Sequence, residues 1–179
     1  ISAYGSEVSK LAPTPNIDRL ANEGARFDDA FVENSLSTPA RACLLTGLYS
    51  HQNGQRTLGK GIDSTKTFVS ELLQDAGYQT GVVGKWHMQC RPVGFDFCRI
   101  FEGQRHDYTP PVLSHDSNGK YEREQGYATD IVTEHAVEFL NQRDEQKPFF
   151  LLVEHKAPHR TWMPNLKYLG LYDKVEFPL

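Results

Sequence analysis

The run FFLLV, residues 149–153, is the stretch that most directly indicates the fold. Consecutive apolar residues without alternation are typical of a β-strand that is covered on both faces. Lys147-Pro148 precedes the run and ends a helical pattern, in which one apolar stripe is formed by Ile131, Val132, Ala136, Phe139 and Leu140. A helix followed at once by a buried strand indicates an α/β domain.

Helical and strand patterns alternate along the rest of the chain. Helices are predicted for residues 15–24, 38–47 and 65–76, strands for residues 27–32, 78–83 and 94–101, and irregular structure for residues 49–64 and most of 88–125. This alternation predicts one domain with a mostly parallel sheet flanked by helices. Ligands of such sheets bind beyond the carboxyl ends of the strands, so residues there are the first candidates for a site.

Composition and charge exclude several classes of partner. The 179 residues are 39% apolar and carry a formal net charge of −4, which argues against nonspecific binding to nucleic acid or to an anionic membrane. No apolar run approaches the roughly 20 residues that a membrane-spanning helix needs. The cysteines, Cys43, Cys90 and Cys98, are odd in number and lack a metal-finger spacing, so neither a disulfide framework nor a structural zinc site is expected.

A second informative stretch is STPARACLLTG, residues 37–47, which predicts a helix that begins just after Ser37 with its cap at Thr38. The simplest interpretation of Ser37 is that it belongs to the cap. A residue at this end of a helix also faces unpaired N–H groups, which favour anions. Arg41 comes one turn later and can lie on the same face. Cys43 stands beside two leucines, so we expect a buried packing residue rather than a nucleophile.

Two other segments place cationic and titratable side chains just past strands. Lys85 and His87 follow the strand predicted at residues 78–83, and His155 and His159 bracket a proline-stiffened turn after FFLLV. Taken separately, the first two are as consistent with solvated polar residues as with function, and one of the two later histidines could be structural. Together with Arg41, these residues would concentrate positive charge suited to a sulfate or a phosphate.

The motif Ser37-x-Pro39-x-Arg41, followed by Leu44, Thr46 and Gly47, resembles the signature of the type I, formylglycine-dependent sulfatases. Further segments resemble that family in the same order, namely TPNIDRLANEGARF (14–27), AGYQTGVVGKWH (76–87), GFDF (94–97), GYATDIVTEHAVEFL (126–140) and KPFFLLV with APH (147–159). The resemblance covers essentially all 179 residues. It implies an alkaline-phosphatase-like α/β fold and the hydrolysis of sulfate esters.

The resemblance also implies a covalent mechanism at Ser37. The corresponding residue of the family is oxidised to formylglycine, an aldehyde whose hydrate carries two hydroxyl groups. One hydroxyl attacks sulfur and forms a covalent sulfate, and the other expels that sulfate by regenerating the aldehyde. A bound Ca²⁺, with the modified Ser37 as one ligand, would acidify the attacking hydroxyl and draw charge from the sulfate oxygens.

The other site residues take their expected roles from the same resemblance. Arg41 would position the hydrated aldehyde, and Lys85 would bridge it and the sulfate. His87 would hydrogen-bond the second hydroxyl and help to deprotonate it. His159 would bind sulfate or protonate the leaving alcohol, with His155 as a weaker candidate for substrate binding.

Two departures from the family pattern carry expectations of their own. Ala40 replaces a serine often found at that place, and Ser37 replaces cysteine, which implies a bacterial serine-type enzyme served by a radical-based maturase. The paired metal-binding aspartates would precede Ile1, and a later Asp-Asn or Asp-His motif and a further lysine would follow Leu179. We therefore expect residues 1–179 to form a single partial catalytic domain that is inactive alone and draws its other calcium ligands from outside this chain.

The segment HKAPHR, with Trp162 following, resembles glycan sulfatases that act on 6-sulfated N-acetylglucosamine. It implies a sulfated sugar substrate, and the family implies a periplasmic or extracellular location. Two alternatives stay open. One is a phosphomonoester or phosphonate ester hydrolase of the same superfamily. The other is a noncatalytic anion- or glycan-binding fragment, which is favoured if Ser37 is never oxidised or if the metal sites are incomplete.

Overall fold

The computed structural model describes residues 1–101, 108, 112–114 and 120–178. The chain forms two compact units, of which the smaller comprises Ile1–Phe31 with Pro164–Leu179 and the larger comprises Val32–Met163. All candidate site residues belong to the larger unit. Among the described residues, no helix is both long and apolar enough to cross a membrane.

The smaller unit contains helix α1, which spans Pro15–Glu23 as the sequence predicts. Short 3₁₀ turns occupy Ser2–Tyr4, Val8–Lys10 and Leu166–Tyr168. The Ser2 hydroxyl donates a hydrogen bond of 2.6 Å to the Asp18 carboxylate, and the Thr14 hydroxyl donates another of 2.9 Å. These bonds, that from Ser2 foremost, lower the pKa of Asp18 and tie the chain start to the first turn of α1.

The larger unit is built on a sheet whose described strands are β1 (Gln79–Gly84), β2 (Phe97–Phe101), β3 (Val112–Ser114), β4 (Tyr121–Arg123) and β5 (Phe149–Glu154). Their spatial order is β4-β3-β2-β1-β5. The central strand β1 pairs in parallel with β2 and β5, whereas β3 and β4 extend the sheet in antiparallel fashion. The predicted parallel sheet is thus confirmed for the longer strands. Gly84 pairs with Glu154, so the carboxyl ends of β1 and β5 lie side by side.

Helices cover both faces of this sheet. They are α2 (Ser37–Thr46), α3 (Ser50–Asn53), α4 (Val69–Asp75) and α5 (Ala128–Gln142). Because side chains alternate along a strand, the adjacent Val82 and Val83 of β1 enter different core clusters. Val82 joins Leu45 of α2, and Val83 joins Ile131 of α5. The predicted arrangement of helices around the sheet is confirmed.

Among the described residues of this chain, residues 149–153 are not covered on both faces as expected. Phe149 and Val153 are 44% and 42% exposed. Strand β5 is the last strand in the described order and pairs only with β1, and the described residues cover its two ends incompletely. Packing reaches the middle of the strand, where Leu151 and Leu152 contact the two core clusters.

Other boundaries differ from the sequence prediction as well. Residues 27–32 form no strand and expose Phe31 to 90%, because no described segment pairs with them. Helix α4 begins only at Val69, and the predicted loop 49–64 includes α3. The irregular stretch predicted at 88–125 contains β3 and β4, and part of it lies outside the described residues.

Helix α2 begins at Ser37 itself, one residue earlier than predicted. Leu36, in an extended conformation, is the residue before the first turn, and Thr38 is not the cap. The Thr38 hydroxyl instead donates a hydrogen bond of 3.0 Å to the carbonyl of His87. Gly47 ends the helix in the left-handed region with φ of 67°, as its sequence position suggests.

Gly84 is required where β1 meets β5. Its φ is +95°, and a Cβ atom at this position would lie 2.1 Å from the carbonyl oxygen of Glu154. We expect Gly84→Ala to lower the free energy of unfolding by at least about 3 kcal/mol, because both backbones must shift. Gly47→Ala is the matched control, since Gly47 has positive φ but open space around it, and should cost only about 1–2 kcal/mol. Equal losses in denaturant titrations would contradict the steric argument.

Candidate active site

The first residue of α2, Ser37, lies at the centre of a cluster of polar side chains. Its Oγ atom is 3.1 Å from Nδ1 of His87, which is 50 residues away in sequence. The Nε–H of Arg41, one helical turn later, donates a long hydrogen bond of 3.4 Å to the same Oγ. The predicted common face of Ser37 and Arg41 is therefore present, and the helix N-terminus adds favourable polarity for an anion.

Lys85 and His87 reach this cluster because β1 ends at Gly84, directly before them. Both are buried, with 6% and 7% of their surfaces exposed. His87 has a positive φ of 52°, and its carbonyl accepts the hydrogen bond from Thr38. The turn after β1 is thus attached to the first turn of α2, which fixes the imidazole beside Ser37.

The electrostatic surroundings keep His87 neutral. Burial, followed by the charges of Lys85, Arg41 and His159, lowers the pKa of His87 to about 4. A neutral imidazole has one ring nitrogen without a proton, so Nδ1 can accept the hydroxyl proton of Ser37 in the tautomer protonated at Nε2. The arrangement is that of a base next to a hydroxyl group.

Lys85 is also perturbed. Burial first, and then the neighbouring charges of Arg41 and Lys156, lower the pKa of Lys85, while Glu154 opposes the shift. Such a partly dehydrated cation interacts more strongly with an incoming anion than a solvated lysine does.

The low pKa of His87 predicts a pH dependence of stability. An unfolded-state pKa near 6.5 exceeds the folded value of about 4, so the unfolded chain binds more protons between these values. Stability is therefore lost as the pH falls from about 6.5 to 4, by up to about 3 kcal/mol from this group. We expect His87→Gln to reduce this loss in denaturant titrations from pH 7 to 4. His51→Gln, which removes an exposed imidazole, is the control, and an identical pH dependence in all proteins would contradict the prediction.

The two later histidines lie past the end of β5 but differ in environment. His155 directly follows the strand. Burial lowers the pKa of His155, although the negative charge of Glu154 acts to raise it. Its buried Nδ1 has no hydrogen-bond partner among the described residues. His159 is exposed, and its Nδ1 lies 2.6 Å from the carbonyl of Arg160. The Tyr108 hydroxyl donates a hydrogen bond of 2.7 Å to the His159 carbonyl and anchors this turn.

The structure therefore brings four of the predicted residues into one cluster. Ser37 contacts Arg41 and His87 directly, and the Nη1 of Arg41 donates a hydrogen bond of 2.8 Å to the carbonyl of Lys85. His159 is near enough to affect the pKa of His87, whereas no described hydrogen bond joins His155 to the cluster.

Sequence reasoning missed two members of the cluster. Thr38 bonds the His87 carbonyl, and Glu154 forms an ion pair of 3.0 Å with Arg41. For Glu154 a signal existed, because it is the first charged residue after FFLLV and so ends a strand at the edge where ligands bind. Cys43, by contrast, is buried within α2 as expected.

The described residues do not supply a metal site by themselves. Across the described part of the chain, no group of three or more His, Cys, Asp or Glu side chains is placed to hold a metal ion. Calcium prefers six to eight oxygen ligands. The hydroxyl of Ser37 offers one such oxygen, but its neighbours Arg41 and Lys85 are positively charged. The residues at hand therefore do not complete a calcium site.

The sequence matches the sulfatase family over residues 1–176. It is 46% identical, over 99% of this chain, to an N-acetylglucosamine-6-O-sulfatase of Bacteroides thetaiotaomicron. It is 32% identical, over 98% of this chain, to the uncharacterized sulfatase YidJ of Escherichia coli. The chain spans 31% and 39% of the lengths of these two relatives.

A solved structure shows the same fold. BT4656, in complex with its substrate D-glucosamine-2-N,6-O-disulfate, superposes with a TM-score of 0.92 and 46% identity over 99% of this chain and 35% of its own. The predicted alkaline-phosphatase-like architecture is thereby confirmed for this part of the fold. With a family match over nearly its whole length, the chain belongs to the sulfatase family.

Proposed function

We propose that the complete protein hydrolyses sulfate esters of carbohydrates, with Ser37 as the precursor of its nucleophile. The single observation that supports this most strongly is the 3.1 Å approach of the Ser37 hydroxyl to the buried, neutral imidazole of His87. That pair lies at a helix N-terminus among the cations Arg41 and Lys85, in a chain of the sulfatase family. A nucleophile, a base and positive charge for an oxyanion are thus within one cluster.

The proposal includes oxidation of Ser37 to formylglycine by a maturase. The hydrated aldehyde supplies two hydroxyl groups on one carbon, which an ordinary serine lacks. Arg41 orients this group through its Nε–H, and His87 accepts a proton from one hydroxyl. Lys85 places its ammonium charge where sulfate oxygens develop negative charge. His159 binds sulfate or protonates the leaving alcohol, and His155 is a weaker candidate for contact with the substrate.

We also propose that the complete protein binds Ca²⁺ through oxygen ligands. Ser37, once modified, offers an oxygen ligand, and the remaining ligands come from outside this chain. The family generally uses Ca²⁺ and formylglycine, which supports both assignments. Residues 1–179 are proposed to be one part of a single catalytic domain.

The proposed substrate class is a sulfated sugar, and 6-sulfated N-acetylglucosamine is the specific candidate. Support comes from the relative called an N-acetylglucosamine-6-O-sulfatase and from the glucosamine disulfate bound to BT4656. In each of these comparisons the sequence identity to this chain is 46%. A periplasmic or extracellular location is proposed because bacterial glycan sulfatases like the relatives of this chain are typically secreted or periplasmic.

A matched pair of substrates tests the activity. The complete protein, co-expressed with a radical-based maturase and supplied with Ca²⁺, is assayed on N-acetylglucosamine 6-sulfate and N-acetylglucosamine 6-phosphate. We expect kcat/KM to be clearly higher for the sulfate ester, because an enzyme discriminates between two substrates by how differently it binds their transition states. Preference for the phosphate would favour a phosphomonoester hydrolase. No hydrolysis of either ester with Ser37 fully converted would favour a noncatalytic binding protein.

A further inference from the structure

The guanidinium group of Arg41 is held at more than one point. Its Nη1 donates hydrogen bonds to the Lys85 carbonyl at 2.8 Å and to Oε2 of Glu154 at 3.0 Å. Its Nε–H then points to the Ser37 hydroxyl at 3.4 Å. The Arg41 and Glu154 side chains are 20% and 33% exposed, so water competes only in part for this ion pair.

Glu154 is itself fixed by the sheet. It is the last residue of β5 and pairs with Gly84, and its carbonyl accepts a hydrogen bond of 2.7 Å from the N–H of Lys85. The close approach of the two backbones is possible because Gly84 has no side chain. The carboxylate therefore extends from a strand end and Arg41 from helix α2, so the ion pair joins β5 to the helix that begins with Ser37.

The charge of Glu154 is placed among cations. Arg41 and Lys156 both lower the pKa of Lys85, and Glu154 acts in the opposite direction on that group. A negative charge at this place reduces the mutual repulsion of the cations that the cluster needs for an oxyanion.

We propose that Glu154 is a positioning residue of this site, whose carboxylate holds the Arg41 guanidinium with its Nε–H directed at the residue-37 side chain. The inference rests on the proposed function of Ser37. Glu154 does not touch Ser37 in the described contacts and acts through Arg41. Its loss lets the guanidinium rotate away from the reacting group, and misplacement by about 1 Å can cost about 10²-fold in rate.

The test is a double-mutant cycle in the complete, matured protein. Glu154→Ala should lower kcat/KM on a sulfate ester by about 10- to 10²-fold, and Glu154→Gln, whose amide oxygen can still accept from Nη1, should recover part of that loss. Glu154→Ala should add little to Arg41→Ala, because the carboxylate acts only through that guanidinium. If Arg41→Ala has no measurable rate, Arg41→Lys replaces it. Rates are expressed per formylglycine, quantified by mass spectrometry, so that incomplete maturation does not mimic lost positioning.

A second readout is independent of turnover. A crystal structure of Glu154→Ala should show the Arg41 guanidinium displaced from the residue-37 side chain while β1 and β5 remain paired. The control is Glu134→Ala, which removes an exposed carboxylate from α5 and should leave kcat/KM within about twofold.

Three outcomes overturn the inference. They are unchanged kcat/KM in Glu154→Ala, losses that add fully in the cycle, and an Arg41 side chain that keeps its place without the carboxylate. Failure of the proposed function looks different, because the unmutated protein would then hydrolyse no sulfate ester although Ser37 is converted.

Discussion

Replacing Ser37 with alanine is expected to lower kcat/KM for sulfate ester hydrolysis by at least about 10⁴-fold in the complete protein, as loss of a covalent nucleophile does elsewhere. The reason is geometric. Ser37 is the hydroxyl that lies 3.1 Å from the neutral His87 and receives the Nε–H of Arg41. Alanine has no hydroxyl group, so it can neither be oxidised to an aldehyde nor form a covalent bond to sulfur. Steady-state kinetics on N-acetylglucosamine 6-sulfate, with circular dichroism to verify folding, provide the measurement.

Cys43→Ala is the matched control, because Cys43 is the other candidate nucleophile in the same helix. Its thiol is buried in α2, 3.6 Å from the Ser50 hydroxyl and 3.7 Å from the Asn53 amide, and it makes no described contact with His87. We expect kcat/KM of the Cys43→Ala variant to stay within about threefold of that of the unmutated protein. Loss of the buried thiol should instead lower the free energy of unfolding. A large loss of activity at Cys43 with little loss at Ser37 would reverse the assignment.

Lys85→Ala is expected to lower kcat/KM by at least about 10²- to 10³-fold, the effect of removing one preorganised electrostatic contact. Lys85 is 6% exposed and lies next to Arg41, so its charge acts in a region from which water is largely excluded. The measurement is kcat/KM per formylglycine in the matured protein, because this separates catalysis from maturation.

Lys147→Ala provides the corresponding control. Lys147 is exposed and precedes β5, at the end of the strand opposite Glu154, so its removal should change kcat/KM by less than about twofold. Near-normal turnover in Lys85→Ala would contradict the proposal that Lys85 binds the sulfate.

Much of the candidate site could be predicted because the positions of its residues follow local rules. Ser37 and Arg41 are four residues apart in a helix, a spacing that places side chains on one face, and the 3.4 Å contact confirms it. Lys85 and His87 come just past a strand, where parallel sheets present their ligand-binding residues, and both are buried beside α2. Each of these relations depends on neighbours within a few positions.

The parts that were missed depend on distant pairings. Glu154 meets Arg41 across 113 residues, and nothing in the sequence around either residue specifies that ion pair. Threonine is a common helix cap, and its position predicted that role for Thr38. Its hydroxyl instead donates a hydrogen bond to the His87 carbonyl, because the turn after β1 lies next to the first turn of α2. Tertiary contacts of this kind override local preference.

The sheet shows the same division between local and long-range information. FFLLV was correctly predicted to be a strand from its continuous apolar character, yet its exposure depends on which strands lie beside it. Strands β3 and β4 are three residues each, too short to give a period-two pattern that could be distinguished from loop sequence. A long apolar run was therefore enough to predict a strand, but not to predict where that strand lies in the sheet.

The most direct test of the central claim is the mass of the peptide that contains Ser37, taken from active, matured protein. Oxidation of serine to formylglycine removes two hydrogen atoms, and an aldehyde-specific hydrazine probe should label this peptide. We predict that the converted fraction of Ser37 rises and falls in proportion to sulfate ester hydrolysis across preparations with different amounts of maturase. An intact serine in a fully active preparation would contradict the claim.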